Sequence, residues 1–77
     1  MTLDQVLIGH TVMILNVTGQ GILRKRLLEM GMTPHTKVKV IKVAPLGDPI
    51  EVFLRCYTLT LRKKEASQII VQEVINE

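Results

Sequence analysis

Aromatic residues are nearly missing from this chain: it has one Phe, one Tyr and no Trp. Since 47% of its residues are apolar, a core must be built from Val, Ile and Leu, and such β-branched enrichment favours strands. Cysteine is limited to Cys56, which excludes an internal disulfide and fits a reducing compartment. No stretch approaches the roughly 20 apolar residues that span a bilayer, and the opening MTLDQVLIGHTVMILNV has neither a basic leader nor a small-residue cleavage pattern. A soluble protein is expected, with any membrane role exercised through a partner. Nor does one sign of charge dominate. Ten basic against seven acidic residues leave a net charge of +3, a mild bias and not the dense basic stripe of a dedicated nucleic-acid binder.

Recognisable catalytic sets are absent as well. His10 and His35 stand apart, at a strand start and a turn, and Gly19 and Gly21 alone do not make a phosphate-binding loop. The carboxylates, Glu77 among them, are scattered, so no combination of acid, base and nucleophile points to an enzyme. His10, His35, Cys56 and four methionines offer soft or borderline donors, yet none is spaced as a chelate. No cofactor is expected. His35 and Cys56 are the weak candidates for opportunistic transition-metal binding.

What the chain does contain is organised around residues 19–36, GQGILRKRLLEMGMTPHT. Gly19 and Gly21 suit a tight strand-to-helix turn, while Gly31 and Pro34 mark a helix stop, so the spacing predicts a helix over about 21–31. At about 100° per residue, Leu23, Leu27 and Met30 form a narrow apolar stripe for the core, with Met32 placed to fold back on Leu27. Lys25 and Glu29 lie one turn apart on the far side and can pair. Arg24 and Leu28 make a mixed basic and apolar edge, which either snorkels over the rim of the domain or is left for a partner.

The flanks read as strand and turn. Thr2 and Gln5 have capping-box spacing, so Leu3 to about Ile8 reads as a helical turn burying Leu3, Val6 and Leu7. The run HTVMILNV (10–17) reads as a strand with apolar groups on both faces. In KVKVIKV (37–43) the alternation slips at Ile41, and keeping Val38, Val40, Ile41 and Val43 inward needs an extra residue near Val40 and Ile41. After the turn APLGDP (44–49), Ile50, Val52 and Leu54 face one way and Glu51, Phe53 and Arg55 the other.

Cys56 and Tyr57 sit in a tight connection to a strand over Thr58 to Arg62; KKEASQ (63–68) is a helical turn, and Ile69 to Val74 a last strand. Five short strands closed on one another leave few bare edges. The fold class is therefore mainly β: a small five-stranded barrel with an inserted amphipathic helix and a short N-terminal helical turn, residues 1–77 forming one domain. Phe53, outward beside Arg55, is either an interface anchor or covered by the curl of the barrel. Tyr57 reads as half-buried, with its hydroxyl at the rim.

Three segments in order, LRKRLLEMGMTP (23–34), APLGDPIEV (44–52) and RCYTLTLRKKEA (55–66), together with the TLDQ opening, resemble the FeoA family of bacterial ferrous iron transport accessory proteins. The resemblance covers almost the whole chain. It implies an SH3-like barrel with an inserted helix, a cytoplasmic location at the inner face of the membrane, and partnership with FeoB, a membrane permease carrying a GTPase domain. On this reading the chain is a non-catalytic module docking on that permease, with Arg24, Leu28, Phe53 and Arg55 as candidate partner-binding residues.

Two readings from other classes stay open: a small basic barrel binding nucleic acid, although its basic face lacks stacking aromatics, and a free-standing version of the SH3-like domain of iron-dependent repressors, modulating a regulator. Homo-oligomerisation is left open. Two departures from the family pattern stand out, since His35 and Cys56 occupy turn positions where the family usually has Gly. If either position needs φ > 0, the strain is about 1 kcal/mol. Phe53 also stands where a polar residue is more usual.

Overall fold

The computed structural model describes residues 1–74, which leaves Glu77 outside it. After a 3-10 turn at Leu3–Gln5 come β1 (Thr11–Val17), helix α1 (Gly21–Glu29), β2 (Lys37–Val43), β3 (Ile50–Leu54), β4 (Tyr57–Leu61), a single helical turn α2 (Lys63–Ala66) and β5 (Ile69–Glu73). All five strands join one antiparallel sheet in the order β4-β3-β2-β1-β5. Inward residues of every strand, including Val12, Val40, Val52, Leu61 and Val71, belong to a single buried cluster, so the sheet must curve around its own core.

The ladder itself does not close. It ends at β4 and β5, and the outer edge of β5 is covered instead by the N-terminal residues, through a Thr2–Ile70 bridge and the Val71 N–H donating to Met1 O at 2.9 Å. Covering an edge serves the same end as pairing it.

Two bulges bend the sheet. The expected one lies between Val40 and Lys42, where the register against β3 shifts. It does not turn all four apolar groups of β2 inward. Val38 and Val40 are buried and Val43 partly so, but Ile41 is the inserted residue itself and faces solvent. The second bulge, between Ile14 and Asn16 against β5, was not legible. Strict alternation after Val12 and Ile14 would bury Asn16 and expose Val17. One extra residue reverses this, burying Val17 and leaving Asn16 and Leu15 outward.

The N-terminal turn is shorter than the spacing predicts. Gln5 Oε1 accepts from the Thr2 N–H at 3.0 Å, as a capping box requires, but Val6 is already extended. Leu3 and Val6 are buried, whereas Leu7, beyond the turn, is 69% exposed instead of sharing their face.

Helix α1 packs on the core beside β1. Leu27 is fully buried, and Leu23, Met30 and Leu28 pack half-buried against the core, so the apolar stripe is broader than three residues. Lys25 and Glu29 form no ion pair; Arg26 instead approaches Glu65 of α2 at 3.8 Å. The helix stops in a Schellman arrangement around Gly31 (φ 104°): the Gly31 N–H donates to Leu28 O at 3.1 Å and the Met32 N–H to Leu27 O at 3.0 Å. Met32 and Leu27, the residues such a stop brings together, are both fully buried.

Candidate partner-binding site

Outward residues of β3 and β2 meet because of register. Lys39 is the direct partner of Phe53 on one side, Thr58 is its partner on the other, and Thr11 of β1 lies across from Lys39. On this face a shallow groove is lined by Thr11, Lys37, Lys39, Phe53, Arg55 and Cys56. Phe53 is 42% exposed on it, so the curl of the sheet does not cover the ring. Among the described residues no carboxylate lines the groove.

Arg55 is held in place. Its Nη2 donates to Thr36 Oγ1 at 2.9 Å and to Thr33 Oγ1 at 3.1 Å, and the two hydroxyls share a hydrogen bond of 2.9 Å. Thr36 is the buried polar residue of the core. Arg55 therefore fastens the turn after α1 to the β3–β4 hairpin while its positive charge meets only neutral oxygens. Tyr57 works beside it, 41% exposed and not half-buried, donating its hydroxyl to Met30 O at the end of α1 at 2.6 Å.

The structure brings Phe53 and Arg55 together but places Arg24 and Leu28 elsewhere, since no residue of α1 lines the groove. Arg24 is half-buried, its Nε donating to Val17 O at 3.2 Å, which ties the helix to the end of β1. Leu28 packs against the core. Lys37 and Lys39 escaped the list of candidate residues. Their alternation with Val38 and Val40 shows that they share an outer face; only the register sets them beside Phe53.

His35 and Cys56 are both exposed, in the turn after α1 and at the hairpin tip, and both have φ 72°. Each therefore carries the backbone strain of a non-glycine residue at φ > 0. Arg55 (φ 45°) and Cys56 are the two central residues of a two-residue hairpin, the left-handed pair of a type I′ turn, where glycine is strongly preferred at the second position. Cys56→Gly is therefore expected to stabilise the fold by about 0.5–1 kcal/mol, raising the melting temperature by several degrees. An unchanged or lower melting temperature would show that the thiol makes a compensating contact. Among the described residues no group of three or more His, Cys, Asp and Glu side chains is placed to hold a metal ion. Nor is any helix among them long and apolar enough to cross a membrane.

This face presents a held guanidinium, two exposed ammonium groups and an aromatic ring. Comparison with known proteins gives it a setting. A Porphyromonas gingivalis (strain ATCC BAA-308 / W83) protein, an Fe(2+) transport protein A/Fe(2+) transporter FeoB fusion, is 36% identical over 72 residues, covering 94% of this chain and 8% of that protein. The present chain thus spans a small part of that relative. The solution structure of a FeoA-like protein from Clostridium acetobutylicum superposes with a TM-score of 0.91 at 32% identity, covering 100% of this chain and 90% of that one. The crystal structure of Stenotrophomonas maltophilia FeoA, a procaryotic SH3 domain protein, shares the fold at a TM-score of 0.84 and 24% identity, covering 94% and 89%. The curved five-stranded sheet is accordingly an SH3-like barrel. The FeoA domain model matches residues 1–73, nearly the whole chain, which therefore belongs to the FeoA family, a family associated with ferrous iron transport.

Proposed function

We propose that this chain is a non-catalytic accessory module that docks on the cytoplasmic part of a FeoB-type ferrous iron transporter and supports Fe²⁺ uptake. The observation that carries this reading is the P. gingivalis fusion, in which a stretch 36% identical to this chain and the transporter form one polypeptide. Covalent linkage keeps two modules at high effective concentration, an arrangement suited to pieces that act on one another. The side chains agree, offering contacts for recognition and none arranged for bond making.

Docking runs through Phe53 and Arg55, joined by Lys37 and Lys39. Arg24 and Leu28 form a separate line on α1 whose mutation also disturbs the seating of the helix, so they make a poor test of docking. Phe53→Ala combined with Lys39→Glu is expected to reduce co-purification of the transporter about tenfold or more, aromatic anchors and charges being where binding energy concentrates. Both side chains are exposed, so the melting temperature stays close to wild type. Undiminished co-purification would reject the docking residues; unchanged anaerobic ferrous uptake after deletion of the gene would reject the function.

The module needs no resident cofactor on this reading. His35 and Cys56 supply at most two donors, short of the three or four protein ligands of ordinary zinc sites. Calorimetric titration of the reduced protein with Fe²⁺ or Zn²⁺ is expected to give no heat above buffer. Stoichiometric binding abolished by His35→Ala would overturn this.

A further inference from the structure

The groove across β1, β2 and β3 specifies more than the existence of a partner. It has two ammonium groups, one guanidinium and one half-exposed ring, with no carboxylate among the described residues that line it. The ion pairs among the described residues lie elsewhere, at His10–Glu73 and Arg26–Glu65, so Lys37 and Lys39 have no carboxylate partner among those residues. Arg55 is oriented by Thr33 and Thr36, neutral partners that leave its charge available and reduce the side-chain entropy lost on binding. The ligand that complements such a surface is anionic and carries an apolar group.

We propose that this groove binds an acidic, extended segment of the partner polypeptide, in which an apolar side chain seats against Phe53 and carboxylates two residues apart meet Lys37 and Lys39. The inference rests on the docking reading above and names the chemistry of the docked piece. Lys37 and Lys39 stand on the same face of β2 two residues apart, which in a strand is about 6.5–7 Å. An extended peptide lying over the sheet presents alternate side chains at that same spacing, so successive outward carboxylates match successive lysines.

Two other anionic partners fit less well. Single-stranded nucleic acid is held by several stacking rings along a basic track, and Phe53 is the sole ring in this groove. A lipid surface is met by apolar groups projecting beside cations. Here the cations line a recess, and the most exposed aliphatic side chains, Leu46 and Ile22, lie outside it.

The test is an amide-shift titration of the full ¹⁵N-labelled chain at low salt with a synthetic extended peptide carrying Glu, Glu and Leu at successive alternate positions with Ser between them, so that both carboxylates and the apolar group share one face. Parallel arms use a Lys and Leu peptide, oligothymidylate and phosphatidylserine vesicles. The acidic peptide is expected to shift amides at Lys37, Lys39, Phe53 and Arg55, and its affinity should fall at least tenfold both in Lys37→Glu/Lys39→Glu and at high salt. Absence of groove shifts, equal binding of the Lys and Leu peptide, or tighter binding of oligothymidylate or vesicles at the same amides overturns it. Co-purification with the transporter separates this inference from the one beneath it. Capture that survives Lys37→Glu/Lys39→Glu rejects the groove and keeps docking, whereas peptide binding without any capture of the transporter rejects docking and keeps the groove.

Discussion

Gly31→Ala is expected to destabilise the fold by about 2–4 kcal/mol, one of the largest effects of any single methyl group added to this chain. Two costs combine. At φ 104° the backbone lies where L side chains are strained, and the residue cannot move because its N–H and that of Met32 close the end of α1 on Leu28 O and Leu27 O. An added Cβ would also stand 2.6 Å from Tyr57 Oη and 3.3 Å from Leu54 Cδ1. Relief requires the tyrosine to withdraw and give up its hydrogen bond to Met30 O.

Thermal denaturation should show a fall of about 10–30 °C. Tyr57→Phe separates the two costs. Removing the hydroxyl relieves the overlap but not the strain, so Gly31→Ala should cost less in the Tyr57→Phe background than alone. Strict additivity would mean that Tyr57 does not restrict this site.

Leu27→Ala is the second large effect, about 3–5 kcal/mol for a leucine buried to 0% exposure between helix and sheet. A domain of this size has about 4–12 kcal/mol in total, so a substantial unfolded fraction at physiological temperature is expected. Leu27 is the fully buried side chain of α1, and it seats Met32 after the helix stop. Ile22→Ala in the same helix is the control. Ile22 is 80% exposed, and its loss should change stability by no more than about 0.5 kcal/mol. In urea the Leu27→Ala midpoint should fall with little change in slope. Equal costs at the two positions would mean that α1 is not seated on the core by Leu27.

The legible and illegible parts of this molecule differ in range. The helix stop could be read because Gly31, Met32 and Pro34 act within one turn of the chain. The bulge in β2 could be read because too many apolar residues compete for one face, although the inserted residue, Ile41, ends outside. The bulge in β1 left no such mark, because Leu15 and Asn16 are each acceptable outward and only the need to bury Val17 decides the phase. Arg24 and Arg55 read alike from the sequence as candidate partner-binding cations. Each is bonded to groups that local patterns do not place beside it, Val17 O for one and the Thr33 and Thr36 hydroxyls for the other.

The sequence by itself determined which residues turn inward along most strands, where the helix ends, and which family the chain resembles. The first two follow from backbone periodicities of two and 3.6 residues and from the few residue types that tolerate φ > 0, the last from the likeness of three segments. Tertiary structure alone decided that Lys39 lies beside Phe53, that Lys37 and Arg55 share their groove, and that Arg24 and Leu28 belong to the seat of the helix. The reason is physical. Neighbours across a sheet are set by register, which depends on bulges and turns distributed along the whole chain, so the proposed docking surface appears only when every strand has found its place.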